Sequence, residues 1–283
     1  MPRQCILCGC QPPHAFLSRD GLEMLRCRTC RLGFLATFPQ DPWALYDTLE
    51  YYQSWNDPGS RGLEMSRRVK EKTADWVLGQ IERLVGPRRR LLEVGCAFGH
   101  FLERARARGY DVHGVEVSPA VEQAARSGLT VFRMPLEQIP VADGSYDAIV
   151  LLDVIEHLPD PVAVVKQCRR LLNTAGGILL LITPDLESLA CKVFKSRWVH
   201  FKSEHLYYYS KVSLTKLLRM NGFEVMRIRR ASKGMSLRYL VSHSVRFGNV
   251  PPILYRLTRY LPGSSTPFRV PSELCCLARV SHG

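Results

Sequence analysis

The stretch LLEVGCAFGHF at residues 91–101, followed by GVEVS at 114–118, constrains the fold of this chain more than any other. Leu91, Leu92 and Val94 form a short apolar run of the kind that buried parallel strands carry on both faces. The run ends at Gly95, and Gly99 opens a helical pattern. Glu116 closes a second apolar run 23 residues after Glu93. A strand, a tight turn, a helix and an acid at the tip of the next strand make half of a nucleoside-binding α/β unit. The acid suits a ribose, because a carboxylate accepts hydrogen bonds from both vicinal hydroxyls.

The glycine spacing separates the nucleosides. A dinucleotide site uses G-x-G-x-x-G, whose second glycine admits a pyrophosphate. Here Ala97 stands between Gly95 and Gly99, and Glu93 precedes the turn. This resembles the E-x-G-x-G-x-G motif of class I S-adenosylmethionine (SAM)-dependent methyltransferases. SAM carries no pyrophosphate, so a methyl group at Ala97 is tolerable. The likeness continues in order over residues 91–280: IPVADGSYDAIVLLDVIEHLPDPVA (139–163) is similar to the family's fourth strand and its DxxEHLxDP tail, LLNTAGGILLLITPD (171–185) to its fifth strand, NGFEVMRI (221–228) to its sixth and SELCCLARV (272–280) to its last. The bacterial ubiquinone-pathway-like enzymes, and relatives acting on sugars and lipids, are nearest in character. The resemblance implies an α/β fold with a Rossmann-like, doubly wound, mainly parallel seven-stranded sheet. It implies Glu93, Gly95, Cys96, Ala97 and Gly99 at the methionine end of SAM, Glu116 on the ribose, Val117 on the adenine, and Met134 and Leu136 completing the adenine slot. Asp153 is counted with the same cofactor residues. Many relatives hold the adenine amino group with an Asp near the position of Pro135, which this chain lacks.

A chain of 283 residues with 46% apolar content can bury the core of one large domain and a small one. No apolar run reaches spanning length, so no transmembrane helix is expected. The opening MPRQCILCGC lacks the layout of a signal peptide, so a cytoplasmic location is expected. Ten cysteines in such a chain argue for metal or free thiols. Cys5, Cys8, Cys27 and Cys30 form CxxC-x18-CxxC, in which paired thiolates converge on one tetrahedral ion. Four thiolates leave no open position, so the zinc is expected to be structural, with Cys10 close enough in sequence to be an alternative ligand. The division expected is a zinc ribbon over 1–36, an aromatic connector over 37–60 and the methyltransferase domain over 61–283. The connector, TFPQDPWALYDTLEYYQSWNDPG, resembles the tyrosine-rich segment that folds over the active site in zinc-ribbon methyltransferases; the alternative is a linker whose aromatics pack the two domains together.

Met65, Val69, Trp76, Val77, Ile81 and Leu84 predict a helix over Arg61–Val85, stopped by Gly86-Pro87. Strands at 91–94, 112–116, 130–133, 147–152 and 177–182 then alternate with helices at 99–108, 119–127 and 161–172, the pattern of a parallel sheet covered on both faces. Net charge is +13, and residues 225–272 hold nine Lys or Arg with no Asp or Glu. Within that stretch, 234–263 carries two amphipathic helical patterns split by Pro251-Pro252, a basic helical insertion at about 230–270. Basic, amphipathic and aromatic residues together favour an anionic membrane surface, giving peripheral membrane association as an expectation. The alternatives are a lid with buried apolar faces and a solvated basic surface.

Methyl transfer from SAM is an in-line displacement that needs alignment first and a base where the nucleophile is a hydroxyl. Asp153, Glu156 and His157 follow the fourth strand, at the end of the sheet where ligands bind. Their D-x-x-E-H spacing resembles the E-x-x-E-H of ubiquinone-pathway O-methyltransferases, which is associated with a divalent metal, so Mg2+ is a further expected cofactor. His157 is the first base, at an ordinary imidazole pKa of ~6.5, with Glu156 beside it; helix capping by the pair is the alternative. RWVHFKSEHLYYYS (197–210) supplies His200 and His205, with His205 the second candidate base. The acceptor is expected to be a small or lipid-linked molecule such as a sugar or quinol. Two further functions compete: an rRNA methyltransferase using its ribbon and charge on phosphates, with nucleic acid the lesser fit because such chains lack D-x-x-E-H, and a non-catalytic zinc module, which the intact Glu93, Gly95 and Glu116 disfavour.

Overall fold

The computed structural model describes residues 4–10, 13–46, 60–231, 233–235, 237–238, 241, 245, 251–261, 268–270 and 272–281. Three short strands open the chain: β1 (His14–Arg19), β2 (Leu22–Arg26) and β3 (Gly33–Leu35). Helix α1 (Ser60–Val85) follows and stops where the sequence places it, at Gly86, whose φ of 79° continues no helix. The α/β unit then runs β4 (Arg90–Val94), α2 (His100–Ala107), β5 (Asp111–Val115), α3 (Val121–Arg126), β6 (Thr130–Phe132), β7 (Ala148–Leu152), α4 (Pro161–Leu171) and β8 (Ile178–Pro184). It closes with α5 (Leu189–Phe194), β9 (Tyr207–Tyr208), α6 (Lys211–Met220), β10 (Phe223–Arg230), β11 (Lys233–Met235), α7 (Pro252–Leu257), β12 (Phe268–Val270) and β13 (Glu273–Val280).

The central sheet has seven strands in the order β10-β13-β8-β7-β4-β5-β6. Strands β4 to β8 pair in parallel, and β13 slots between β8 and β10 antiparallel to both. Side chains alternate across it. Leu92, Ile149, Leu151, Leu179 and Leu181 enter one core, while Leu91, Val150, Leu180 and Ile182 enter the other. That two-sided burial is why β4, β7 and β8 read as unbroken apolar runs. Local signals set the helix starts. Asp160 accepts the amide of Ala163 at 2.9 Å with Pro161 in the first turn of α4, and Ser210 forms a reciprocal cap with Ser213 on α6.

The expected ribbon over 1–36 gains a strand from a later segment. Its sheet runs β1-β2-β3-β9, with Phe34 opposite Tyr207 and Gly33 opposite Tyr208, and Cys5, Leu7 and Phe34 join the same core as α4 and α6. A three-strand ribbon leaves the β3 edge unpaired, and the YYY segment satisfies it. The segment 234–263 departs from its expected helical start only at the first two residues. Gly234 and Met235, with Lys233 before them, pair as a strand with Arg269, Phe268 and Val270, whereas Leu237, Arg238, Val241 and Val245 are helical, as the first pattern predicts. Three residues containing a glycine have no helical period to weigh against that ladder. Leu240 lies outside the described residues. In the second pattern α7 forms, but Ile253, Leu254 and Leu257 are 54%, 41% and 50% exposed, so its apolar face is not buried. The connector is described only to Tyr46, and 47–59 lie outside the described residues.

Candidate functional site

The chain leaves β4 through Gly95, whose φ is 73°, and the amides of Gly95 and Cys96 donate to the carbonyl of Val115 at 2.8 and 3.1 Å. A Cβ on Gly95 would lie 2.5 Å from Cγ2 of Val154, and one on Gly99 would lie 2.5 Å from Cδ1 of Leu129. Both glycines are required by contact as well as by dihedral. Ala97 sits at a φ of 45°, so it adopts the left-handed turn despite its methyl group. Its amide donates to Oε2 of Glu116, and that of Ser118 donates to Oε1, each at 2.9 Å. These bonds fix the Glu116 carboxylate at the tip of β5 and leave lone pairs for further donors.

Glu93, 4% exposed at the end of β4, has an Oε2 with no hydrogen-bond partner. Burial, then the charge of Glu116, pushes its pKa well above the usual carboxylate range. A buried carboxyl oxygen lacking a donor fits an ammonium, and Glu116 fits a diol, so the donor set matches SAM. Cys96 is buried, with Sγ close against Gly114, and burial raises its thiol; it faces the core and offers the turn its backbone. Val117 and Met134 are half-buried near the strand tips. Leu136, 3% exposed, packs in the core and is wall more than open slot.

The second cluster lies past β7. Asp153, with a φ of 56°, donates its amide to the carbonyl of Ile182 at 3.0 Å, tying the end of β7 to β8. Glu156 is 1% exposed and its Oε2 accepts from Oγ1 of Thr183 at 2.9 Å. The carbonyl of Glu156 takes the amides of Leu206 and Tyr207 at 2.9 and 3.1 Å, which stitches the 153–157 turn to the segment carrying His205. Glu156 and His157 do not cap α4; Asp160 does. Nδ1 of His157 lies 2.8 Å from the carbonyl of Glu204 and 2.6 Å from Oη of Tyr46. A carbonyl only accepts, so Nδ1 carries the proton and Nε2 presents a bare lone pair. The rings of His157 and His205 meet edge to face, 4.6 Å between centroids. One donor atom each from Glu156, His157 and His205 lies within 4.8 Å of the others. Nδ1 of His205 has no hydrogen-bond partner.

Burial, then the charge of Lys202, lowers the pKa of His157 to about 4 and that of His205 well below its ordinary value. The ordinary value expected for His157 is thereby corrected: it is the neutral imidazole at neutral pH, with Nε2 free of a proton, and weakly basic. Lys202 and Glu204 pair at 3.2 Å beside it, where burial raises Glu204 but the Lys202 ammonium holds it below the usual carboxylate range. His200 stacks on His205 at 6.1 Å and stands 3.9 Å from Glu273. Tyr46, Thr183, Val154 and Glu204 belong to this site and carry no motif of their own. Only the aromatic density of 37–59 hinted at Tyr46.

At the other end of the chain Cys5, Cys8, Cys27 and Cys30 converge, with all sulfurs within 4.8 Å and the Cys5–Cys30 and Cys8–Cys27 pairs at 3.3 and 3.5 Å. A tetrahedral site with Zn–S of about 2.3 Å has S···S edges of roughly 3.8 Å, so the four sulfurs fit one zinc. Each CxxC is followed by a left-handed residue, Gly9 at 64° and Arg31 at 61°, giving two matching knuckles. At Cys27 burial opposes ionisation, but the amides of Cys30 and Thr29 outweigh it and hold the thiol at about 7. Cys10 stands outside the group, its Sγ on the carbonyl of Cys8.

A family model described as "Methyltransferase domain" matches residues 65–228. The chain belongs to that family. Its sheet order, Gly95 turn and Glu116 are those of a class I SAM-dependent methyltransferase. Among curated relatives, the ubiquinone biosynthesis O-methyltransferase of Alkalilimnicola ehrlichii is 38% identical over 101 residues, 32% of this chain and 40% of that one. The enzyme of the same name from Dechloromonas aromatica is 30% identical over 139 residues, 46% of this chain and 58% of that one. The chain thus spans about half the length of the curated relatives it matches. Among solved structures, a SAM-dependent methyltransferase of Thermotoga maritima aligns with a TM-score of 0.56 at 19% identity, covering 84% of this chain and all of that one. The [4+2]-cyclase SpnF aligns with a TM-score of 0.51 at 20% identity, covering 74% of this chain and 81% of that one. These last two likenesses concern the fold alone; chemistry has to be argued from the site.

Proposed function

We propose that this methyltransferase moves the methyl group of SAM to a hydroxyl of a small or lipid-linked acceptor of the sugar or quinol kind. The observation that carries the reading is that one end of one sheet holds both the Gly95–Glu116 turn and the Glu156–His157–His205 cluster. SAM supplies a sulfonium-activated methyl group. Glu93 takes the methionine ammonium, Gly95, Cys96, Ala97 and Gly99 bring the backbone close, and Glu116 holds the ribose hydroxyls. Val117, Met134 and Leu136 border the adenine, and Asp153 closes the methionine end. The acceptor oxygen attacks the methyl carbon, the carbon–sulfur electron pair returns to sulfur, and Nε2 of His157 takes the hydroxyl proton. Tyr46 and Glu204 hold that imidazole in the tautomer the step needs. The two relatives named for O-methylation support an oxygen acceptor.

A second reading is favoured by the three-donor geometry. Two imidazoles and a carboxylate suit a divalent transition metal, whereas Mg2+ prefers oxygen ligands throughout. An ion held by Glu156, His157 and His205 would lower the pKa of an acceptor hydroxyl. The ribbon zinc would be structural in either case. Division into a 1–36 ribbon, a 37–60 connector and a 61–283 catalytic domain remains our reading, with the ribbon leaning on β9. No helix among the described residues is long and apolar enough to cross a membrane. Peripheral attachment through the acid-free 225–272 segment fits the exposure of α7 better than a lid does.

The test uses the full chain, methyl-labelled SAM, and lipid, soluble and RNA fractions of a strain lacking the gene. Label is expected in the lipid or soluble fraction. His157→Ala should lower turnover on that fraction by about 100-fold or more with SAM affinity unchanged. Activity lost to EDTA and restored by zinc or manganese selects the metal reading, and EDTA insensitivity selects the base. Label confined to RNA overturns the acceptor class. Full turnover in His157→Ala moves the role to His205.

A further inference from the structure

Leu206, the neighbour of His205, is hydrogen-bonded through both of its backbone polar groups, and to opposite sides. Its amide donates to the carbonyl of Glu156 at 2.9 Å, and its carbonyl accepts the amide of Leu35 at 3.0 Å. Glu156 belongs to the turn after β7, whereas Leu35 ends β3 of the ribbon. His205 therefore stands where the ribbon meets the central α/β unit. The contact continues with Phe34 opposite Tyr207 and Gly33 opposite Tyr208. Earlier in the same segment, Arg19 at the end of β1 donates to the carbonyl of Phe201 at 2.8 Å and lies 5.7 Å from the centroid of its ring. The Tyr208 hydroxyl closes the turn between, donating to the carbonyl of Lys202 at 3.0 Å.

The fit of β3 against β9 is close. A Cβ on Gly33 would lie 3.0 Å from Cδ2 of Leu186 and 3.1 Å from both Sδ of Met24 and Cβ of Tyr208. A branched side chain there has to push the two strands apart. The place of β3 is set in turn by the cysteines. The amide of Cys27 donates to the carbonyl of Leu32 at 2.8 Å, and that of Arg31 to the carbonyl of Cys27 at 3.0 Å, so the second knuckle turns straight into β3. Three short strands bury too little to hold a shape unaided, and in domains this small metal binding and folding are coupled. A shift of β3 moves Leu206, and with it the edge-to-face contact of His205 on His157, 4.6 Å between centroids. A misplacement of roughly 1 Å can cost a reaction about 100-fold. The cofactor side has no such link to the ribbon, since Gly95 is bonded to Val115 and Glu116 to Ala97 and Ser118.

On the reading that His157 and His205 handle the acceptor, we propose that β3 is a positioning element for methyl transfer. Gly33 and Leu35 set where His205 stands against His157, acting through Tyr208 and Leu206, and the four-cysteine metal site holds β3 in register. Acceptor-side chemistry thus depends on the ribbon, while SAM binding does not.

The full chain is compared with Gly33→Val, in which all four cysteines remain. The variant should keep its zinc and wild-type SAM affinity. Amide hydrogen exchange over 201–209 should nevertheless rise by about tenfold or more, with exchange in β4, β7 and β8 unchanged. Its turnover on the methyl-accepting fraction should fall by about tenfold or more while KM for SAM stays the same, a split that general destabilisation does not produce. Gly33→Ala should give a smaller change of the same kind, and it carries the same measurements if the valine variant loses zinc or SAM binding. Cys27→Ser should show the rise in exchange without zinc. Wild-type exchange over 201–209 in the Gly33 variants, or raised exchange with wild-type turnover, would overturn the proposal. A wild type that transfers no methyl group would sink the acceptor reading instead, and exchange alone would then decide whether β3 holds the segment.

Discussion

Single residues decide how close a nucleoside can come to the backbone. Gly95 is the clearest case, because its φ of 73° and the 2.5 Å approach of Val154 Cγ2 to its missing Cβ act together. Gly95→Ala should cost roughly 1–3 kcal/mol, lower the melting temperature by several degrees and weaken SAM binding. Adding Val154→Ala should recover part of the stability; a Gly95→Ala protein that melts with wild type would show that the turn is not strained. Glu93, Gly95 and Glu116 could be read from the sequence because strand, turn and acid follow one another at short, fixed spacing. Thr183, Glu204 and Tyr46 could not. They reach Glu156 and His157 from 27, 47 and 111 residues away, and a long-range hydrogen bond leaves no local pattern. The low basicity of His157 was equally hidden, since it comes from burial and from Lys202, not from the D-x-x-E-H spacing.

Elements were readable where a period was long and unreadable where pairing was made at a distance. The alternation from β4 to β8 gave the sheet, and Asp160 and Gly86 marked helix ends. The partner of β3 gave no such signal, because Tyr207 and Tyr208 read as an aromatic pocket loop until their backbone is seen beside Phe34 and Gly33. That pairing has a consequence for the four-cysteine site. Metal analysis should return about one zinc per chain, and Cys27→Ser should lose it. The variant should still bind SAM, because the Gly95 turn and Glu116 belong to the central sheet. It should nevertheless melt earlier as a whole, since Cys5, Leu7 and Phe34 share a core with α4 and α6. Protein purified without chelator and found free of metal would contradict the zinc assignment.

At the scale of the molecule, two cores on opposite faces of one sheet fix the strands, and the candidate site residues collect at their carboxyl ends. The sheet presents the Gly95 turn and the Glu156–His157–His205 cluster side by side, while the ribbon braces the segment that bears His205. Charge is distributed unevenly over this frame. The net charge is +13, and two stretches, 188–203 and 225–272, hold no Asp or Glu. These roles require SAM as the cofactor, with its ribose on Glu116. Calorimetric titration of SAM into wild type and into Glu116→Ala tests that most directly. A charged acceptor is worth about 1.5–3 kcal/mol, so the wild type should bind one SAM per chain and the variant should bind at least about tenfold more weakly. Unchanged affinity in Glu116→Ala, or no binding by the wild type, would contradict the account.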